Sequence, residues 1–122
     1  MTREMTLAID CGGGGIKGSV VDERGTMMAP AHRVPTPYPL PPELLVETAV
    51  GLAKELPPAT RVTMGMPGMI RHGVVIATPH YITRDGPRSR VLPELVSRSD
   101  HFDLGRAIEQ ALSLPTKVLN DA

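Results

Sequence analysis

Apolar positions along the chain come in short runs separated by glycine and proline, a punctuated pattern that predicts short strands and two helices. Met5 to Asp10 (MTLAID) is an apolar run ending in a carboxylate and reads as a buried strand. Four glycines follow, Gly12 to Gly15, and Ile16 to Val21 then resumes a strand-like pattern. Asp22-Glu23-Arg24-Gly25 reads as a turn, and Thr26 to Val34 as a third strand interrupted by Pro30. Such short separations favour an antiparallel meander.

Pro35, Pro37, Pro39, Pro41 and Pro42 then form an extended connector. Pro42 suits the first turn of a helix, and Glu43 complements its dipole. Leu44, Leu45, Thr48, Leu52 and Leu56 make one stripe on that helix, which ends near Pro57-Pro58. Arg61 to Met66 is a fourth strand closed by Pro67-Gly68, and Val74 to Ala77 a further short one. Residues 78–100 show no period, broken by Pro79, Gly86, Pro87 and Pro93. Asp103 is the expected N-cap of a helix through Leu112, with Leu104, Ala107, Ile108, Ala111 and Leu112 on its apolar side. Pro115 to Leu119 is a last strand before Asn120-Asp121-Ala122. The order strand, strand, strand, helix, strand, helix, strand is α/β, without an internal repeat.

Composition narrows the classes. With 13 basic and 13 acidic residues the net charge is zero, which removes the electrostatic case for a nucleic-acid or anionic-membrane partner. No apolar run approaches the ~20 residues of a membrane span. Met1 to Thr6 mixes charges with no apolar stretch of a leader behind it, and Cys11 is alone, so a cytoplasmic protein is expected. There is no Trp, one Phe and two Tyr, so aliphatic residues and seven Met must fill the core.

Three features carry candidate chemistry. In Asp10-Cys11-Gly12-Gly13-Gly14-Gly15-Ile16-Lys17-Gly18, glycines let consecutive N–H groups approach an anion, Asp10 could hold Mg²⁺, and Lys17 could neutralise phosphate charge. Gly13, Gly15 and Gly18 formally match the dinucleotide fingerprint, but that motif opens a helix and this segment continues as a strand. The G-x-x-x-x-G-K-[ST] loop fails because Gly18 follows Lys17. A hairpin tip without a ligand stays open as an alternative. At the chain end, Asp121 could take the proton from an attacking hydroxyl and Asn120 could bind a neighbouring one; on position alone, a polar strand end without a role is the simpler reading. Gly65-Met66-Pro67-Gly68, taken alone, is a structural turn. His72, His80 and His101 have no metal-ligand spacing with Cys11.

Taken together and in order, these residues resemble the ROK family of sugar kinases and repressors in the actin-like ATPase superfamily, and are most similar to its polyphosphate- and ATP-dependent glucokinases. Asp10 to Gly18 (DCGGGGIKG) looks like the family's phosphate loop; Thr36-Pro37, Gly65 to Val75 and Asn120-Asp121-Ala122 follow at family-like spacing. The resemblance implies an actin-like, ribonuclease H-like α/β fold: a mixed sheet with a three-strand antiparallel meander, parallel strands and flanking helices. It also implies a phosphoryl transfer from ATP or polyphosphate with Mg²⁺ to a sugar hydroxyl. Asp10, Gly12, Gly13, Gly14, Gly15 and Lys17 would hold the donor and Mg²⁺, Asp121 would be the general base, and Asn120 would bind sugar. Met66, Pro67 and Gly68 would line the sugar cleft, and His80 stands in the sugar-binding segment, where the family usually carries Asn. Phe102 stands near the place of a Trp common in the glucokinases; both departures bear on which sugar is bound. The expectation for residues 1–122 is an N-terminal lobe lacking its nucleotide lobe and inactive alone, with a homodimer as one expected state of the parent. The expected partners are a small-molecule sugar and a phosphoryl donor, with no nucleic acid and no membrane. A non-catalytic sugar-sensing ROK-type protein is the alternative.

Overall fold

A computed structural model describes residues 3–77, 81–86, 89–95 and 101–120. Its elements are β1 (Thr6–Cys11), β2 (Gly15–Val21), β3 (His32–Pro35), α1 (Pro42–Lys54), β4 (Arg61–Met66), β5 (Met69–Arg71), β6 (Val74–Ala77), β7 (Phe102–Asp103), α2 (Leu104–Leu112) and β8 (Thr116–Asn120). Five strands form one sheet in the order β3-β2-β1-β4-β8, and β5-β6-β7 form a second, smaller one. β1, β2 and β3 are the antiparallel meander, whereas β1, β4 and β8 run parallel. The parallel pairs require crossovers, and α1 and α2 supply them.

Strand alternation explains where the core lies. Leu7, Ile9 and Cys11 of β1, Ile16 and Val20 of β2, Val62, Met64 and Met66 of β4, and Val118 of β8 are buried and share one face of the large sheet. Helices α1 and α2 cover that face. α1 buries Pro42, Leu45, Ala49 and Leu52, and Gly18 of β2 admits it: a Cβ there would stand 3.5 Å from Leu52 Cβ and 3.1 Å from Cδ1 of Leu56, just past the helix end. α2 buries Leu104, Gly105 and Ile108. The opposite face bears Ala8, Asp10, Lys17, Ser19, Thr63 and Leu119, none of them buried. Among the described residues, no helix is long and apolar enough to cross a membrane.

Several expectations need adjusting. The third strand forms only at its end, as His32–Pro35, because Pro30 offers no N–H to a ladder; earlier in that segment, Met27 makes one bridge to Val21. The first helix stops at Lys54, short of Pro57. On α2, Ala111 is exposed, and Gly105 is buried where its N–H reaches Gly73 O at 3.1 Å. Asp103 does cap that helix, its carboxylate accepting from Arg106 N at 3.1 Å. Of the small sheet only β6 was expected, as the strand Val74 to Ala77; β5 and β7 have three and two residues, too few to show a period.

Candidate active site

The glycine run is the tip of the β1–β2 hairpin, closed by Gly12 N–H donating to Gly15 O at 3.0 Å. Three hydroxyls hold its carbonyls. Thr36 Oγ1 donates to Gly12 O at 2.8 Å and the Tyr81 hydroxyl to the same oxygen at 3.0 Å. The Tyr38 hydroxyl donates to Gly13 O at 2.7 Å, and Thr36 N–H reaches Gly14 O at 3.4 Å. In a trans peptide the C=O and the following N–H point in opposite directions. Pinning the Gly12 and Gly13 carbonyls therefore turns the N–H groups of Gly13 and Gly14 away from the clamp. Neither N–H has a hydrogen-bond partner among the described residues. Consecutive N–H groups presented in this way form an anion-binding concavity.

The clamp is built by the proline-rich connector, which carries Thr36 and Tyr38, and by Tyr81 from beyond β6. The two rings pack edge to face, their centroids 6.4 Å apart at 71°. Burial pushes the Tyr38 hydroxyl above its ordinary pKa, so it remains a donor at neutral pH. Sequence reasoning missed both tyrosines. A usable signal existed, since they are the chain's only two and stand in otherwise proline-broken segments.

Asp10 lies one residue before the buried end of β1, in register with Lys17 of β2 on one side and Gly65 of β4 on the other. Asp10 and Lys17 are exposed on the sheet face opposite α1 and α2, which settles the direction of Lys17. Neither forms an ion pair among the described residues. Arg33 of β3 extends the same row beyond Lys17. It too was missed.

Asn120 ends β8 in register with Met66. Its Nδ2 donates to Gly68 O, tying the end of β8 to the turn after β4. Asp10, the Gly65–Gly68 segment and Asn120 thus gather at the carboxyl ends of three adjacent parallel strands, where α/β sheets expose ligand-binding groups. Two inter-strand spacings, about 10 Å, separate β1 from β8. Met66 itself is 1% exposed, its side chain packed in the core and not lining a cleft as expected; Pro67 and Gly68 are half-buried. His80 and Asp121 lie outside the described residues. A cavity of about 630 Å³ lies elsewhere, between α2 and the free edge of β8, lined by His72, Asp103, Arg106, Glu109 and Lys117 among others. It contains no residue of the glycine loop.

A glycine hairpin at the centre of a β3-β2-β1-β4-β8 sheet, with polar residues at the carboxyl ends of its parallel strands, defines a lobe of the actin-like ATPase fold. The profile of the ROK family matches residues 6–122, and the chain belongs to that family. It is similar to the inorganic polyphosphate/ATP-glucomannokinase of Arthrobacter sp. strain KM, with a TM-score of 0.71 and 30% identity over 100% of this chain and 45% of that one. A ROK family glucokinase from Streptomyces griseus, solved with glucose and AMPPNP, gives a TM-score of 0.68 at 26% identity over 99% of this chain and 34% of that one. The N-acetylmannosamine kinase of Escherichia coli K12 is 30% identical over 118 residues, 96% of this chain and 36% of that protein. The chain thus spans about a third of the length of the curated relatives it matches.

Proposed function

We propose that this chain is the donor- and sugar-binding lobe of a kinase that transfers a phosphoryl group from ATP or inorganic polyphosphate to a hexose hydroxyl. The observation that carries this reading is the clamped glycine loop. Its carbonyls are all engaged by the protein, and its Gly13 and Gly14 N–H groups are left for an anion. The names of the relatives favour the same class, since they phosphorylate hexoses or their N-acetyl derivatives.

In this reading Gly13 and Gly14 N–H donate to a donor phosphate, and Lys17 offsets its charge. Asp10 suits Mg²⁺: Mg²⁺ bound with phosphates takes one or two carboxylates and keeps several waters. Asp10 is a single exposed carboxylate, and among the described residues no group of three His, Cys, Asp or Glu forms a closed cage. When bound, Mg²⁺ supplies charge neutralisation at the phosphates. Asn120, the Pro67-Gly68 turn and His80 would contact the sugar, and Asp121, following Asn120, would take the proton of the attacking hydroxyl. Such chemistry depends mainly on positioning and charge.

The test is product formation by the full-length protein, with ATP and polyphosphate as donors and glucose, mannose and N-acetylmannosamine as acceptors. Asp121→Asn should lower kcat by about 10² to 10⁴ while circular dichroism stays unchanged. Near-normal turnover in that variant removes Asp121 from the role of base. Sugar binding by calorimetry with no phosphorylated product from either donor would replace the kinase by a sugar-sensing regulator.

A further inference from the structure

Arg33 occupies a place that only a glycine neighbour permits. A Cβ on Gly15 would stand 2.4 Å from its Cζ and Nη2 and 2.5 Å from its Nε, and one on Gly14 3.9 Å from Nη2. The guanidinium therefore lies flat on the glycine loop, in the space a side chain at Gly15 would fill. Among the described residues it makes no hydrogen bond and no ion pair.

Its register deepens the puzzle. Arg33 pairs directly with Lys17, and Lys17 with Asp10. Like charges directly opposite across strands repel, and one carboxylate cannot neutralise two cations. The row thus keeps a surplus positive charge in a chain whose net charge is zero. That surplus sits beside the two uncommitted N–H groups of Gly13 and Gly14. A planar guanidinium with five donors matches the oxygens of a phosphate, which it can hold through two bonds at once.

We propose that Arg33 binds the non-transferred phosphates of the phosphoryl donor, an inference that rests on the kinase reading of the loop. The ligand chemistry is a linear chain of phosphates, common to a nucleoside triphosphate and to inorganic polyphosphate. Arg33 is a binding residue for that chain, with Lys17 as its neighbour, and Gly15 is the residue that makes room for it.

The experiment titrates inorganic tripolyphosphate into the full-length protein by calorimetry, and measures donor and sugar KM with ATP and with polyphosphate. Arg33→Gln should weaken tripolyphosphate binding roughly ten- to a hundred-fold and raise the donor KM, leaving the sugar KM and the melting temperature in place. Arg33→Lys should restore only part of the affinity, because an ammonium lacks the fork. Gly15→Ala, which evicts the guanidinium without deleting its charge, should weaken binding as well. A rise in KM for both donors assigns the contact to phosphates they share; a rise for polyphosphate alone assigns it to the longer chain. Tripolyphosphate affinity in Arg33→Gln within about twofold of the native protein, or no binding by the native protein, overturns the proposal. If that happens while sugar phosphate is still made, Arg33 fails and the kinase reading stands. If binding depends on Arg33 but no sugar phosphate forms with any donor, the kinase reading fails and the phosphate site stands.

Discussion

Thr36→Val and Tyr81→Phe, made singly and together, test whether the glycine loop is held by a shared acceptor. Both hydroxyls converge on Gly12 O, at 2.8 and 3.0 Å. Removing either leaves that oxygen one donor, so each single change should cost only the net value of a hydrogen bond, about 0.5–1.5 kcal/mol. Removing both leaves the carbonyl without a donor among the described residues. A buried orphan acceptor costs about 1–3 kcal/mol; Gly12 is half-buried, which favours the low end. The double variant should therefore lose about 1 kcal/mol more than the sum of the singles. Urea unfolding followed by far-ultraviolet circular dichroism reads this directly, with the slope m serving as a check that the unfolded state is unchanged. Tyr38→Phe removes the donor to a different carbonyl, Gly13 O, and should couple more weakly to Thr36→Val. A double variant that is additive within about 0.3 kcal/mol would refute the shared-acceptor account, since coupled neighbours depart from additivity by more than that.

Gly18→Val should destabilise by about 1–3 kcal/mol through overpacking, because its Cβ would meet Leu56 Cδ1 at 3.1 Å and Leu52 Cβ at 3.5 Å; thermal unfolding measures it. Ile108 is fully buried between α2 and the sheet, and Ile108→Ala should cost about 2–5 kcal/mol in urea unfolding. The Asp22 carboxyl is held below its ordinary value of 3.8, chiefly by the Thr26 N–H bond. A depressed folded value means its contribution is present above pH 3.8 and is lost as pH falls through the folded value. The urea midpoints of native protein and Asp22→Ala should therefore differ near neutrality and converge in acid. Tyr38 has the opposite sign. Its value is raised, so its contribution holds below the ordinary value near 10 and is lost only as pH rises through the folded one. The Tyr38→Phe difference should consequently stay flat from pH 6 to about 9.

The large sheet was legible because its strands obey local rules. Arg61–Met66 alternates cleanly, with Val62, Met64 and Met66 inward, and β4 begins and ends where that pattern does. The N-cap Asp103 and the proline start of α1 are written in single residues. What escaped the sequence depends on partners far along the chain. Tyr81 lies 69 residues from the carbonyl it holds, and Tyr38 lies 25 from its own. The seat of Arg33 on Gly15 follows from the β2–β3 register, which no local pattern specifies. Gly15 illustrates the gap: its backbone is not left-handed, so turn geometry does not demand a glycine there, and what occupies the space of its missing side chain is the arriving guanidinium.

The edge-to-face tyrosine pair gives this 122-residue segment its own optical probe. With no Trp, one Phe and two Tyr in the chain, nearly all near-ultraviolet absorption comes from the two rings whose hydroxyls grip the glycine hairpin. Any rearrangement of that hairpin alters the chiral surroundings of both chromophores at once. Near-ultraviolet dichroism and tyrosine emission of these 122 residues therefore report on this loop without a label.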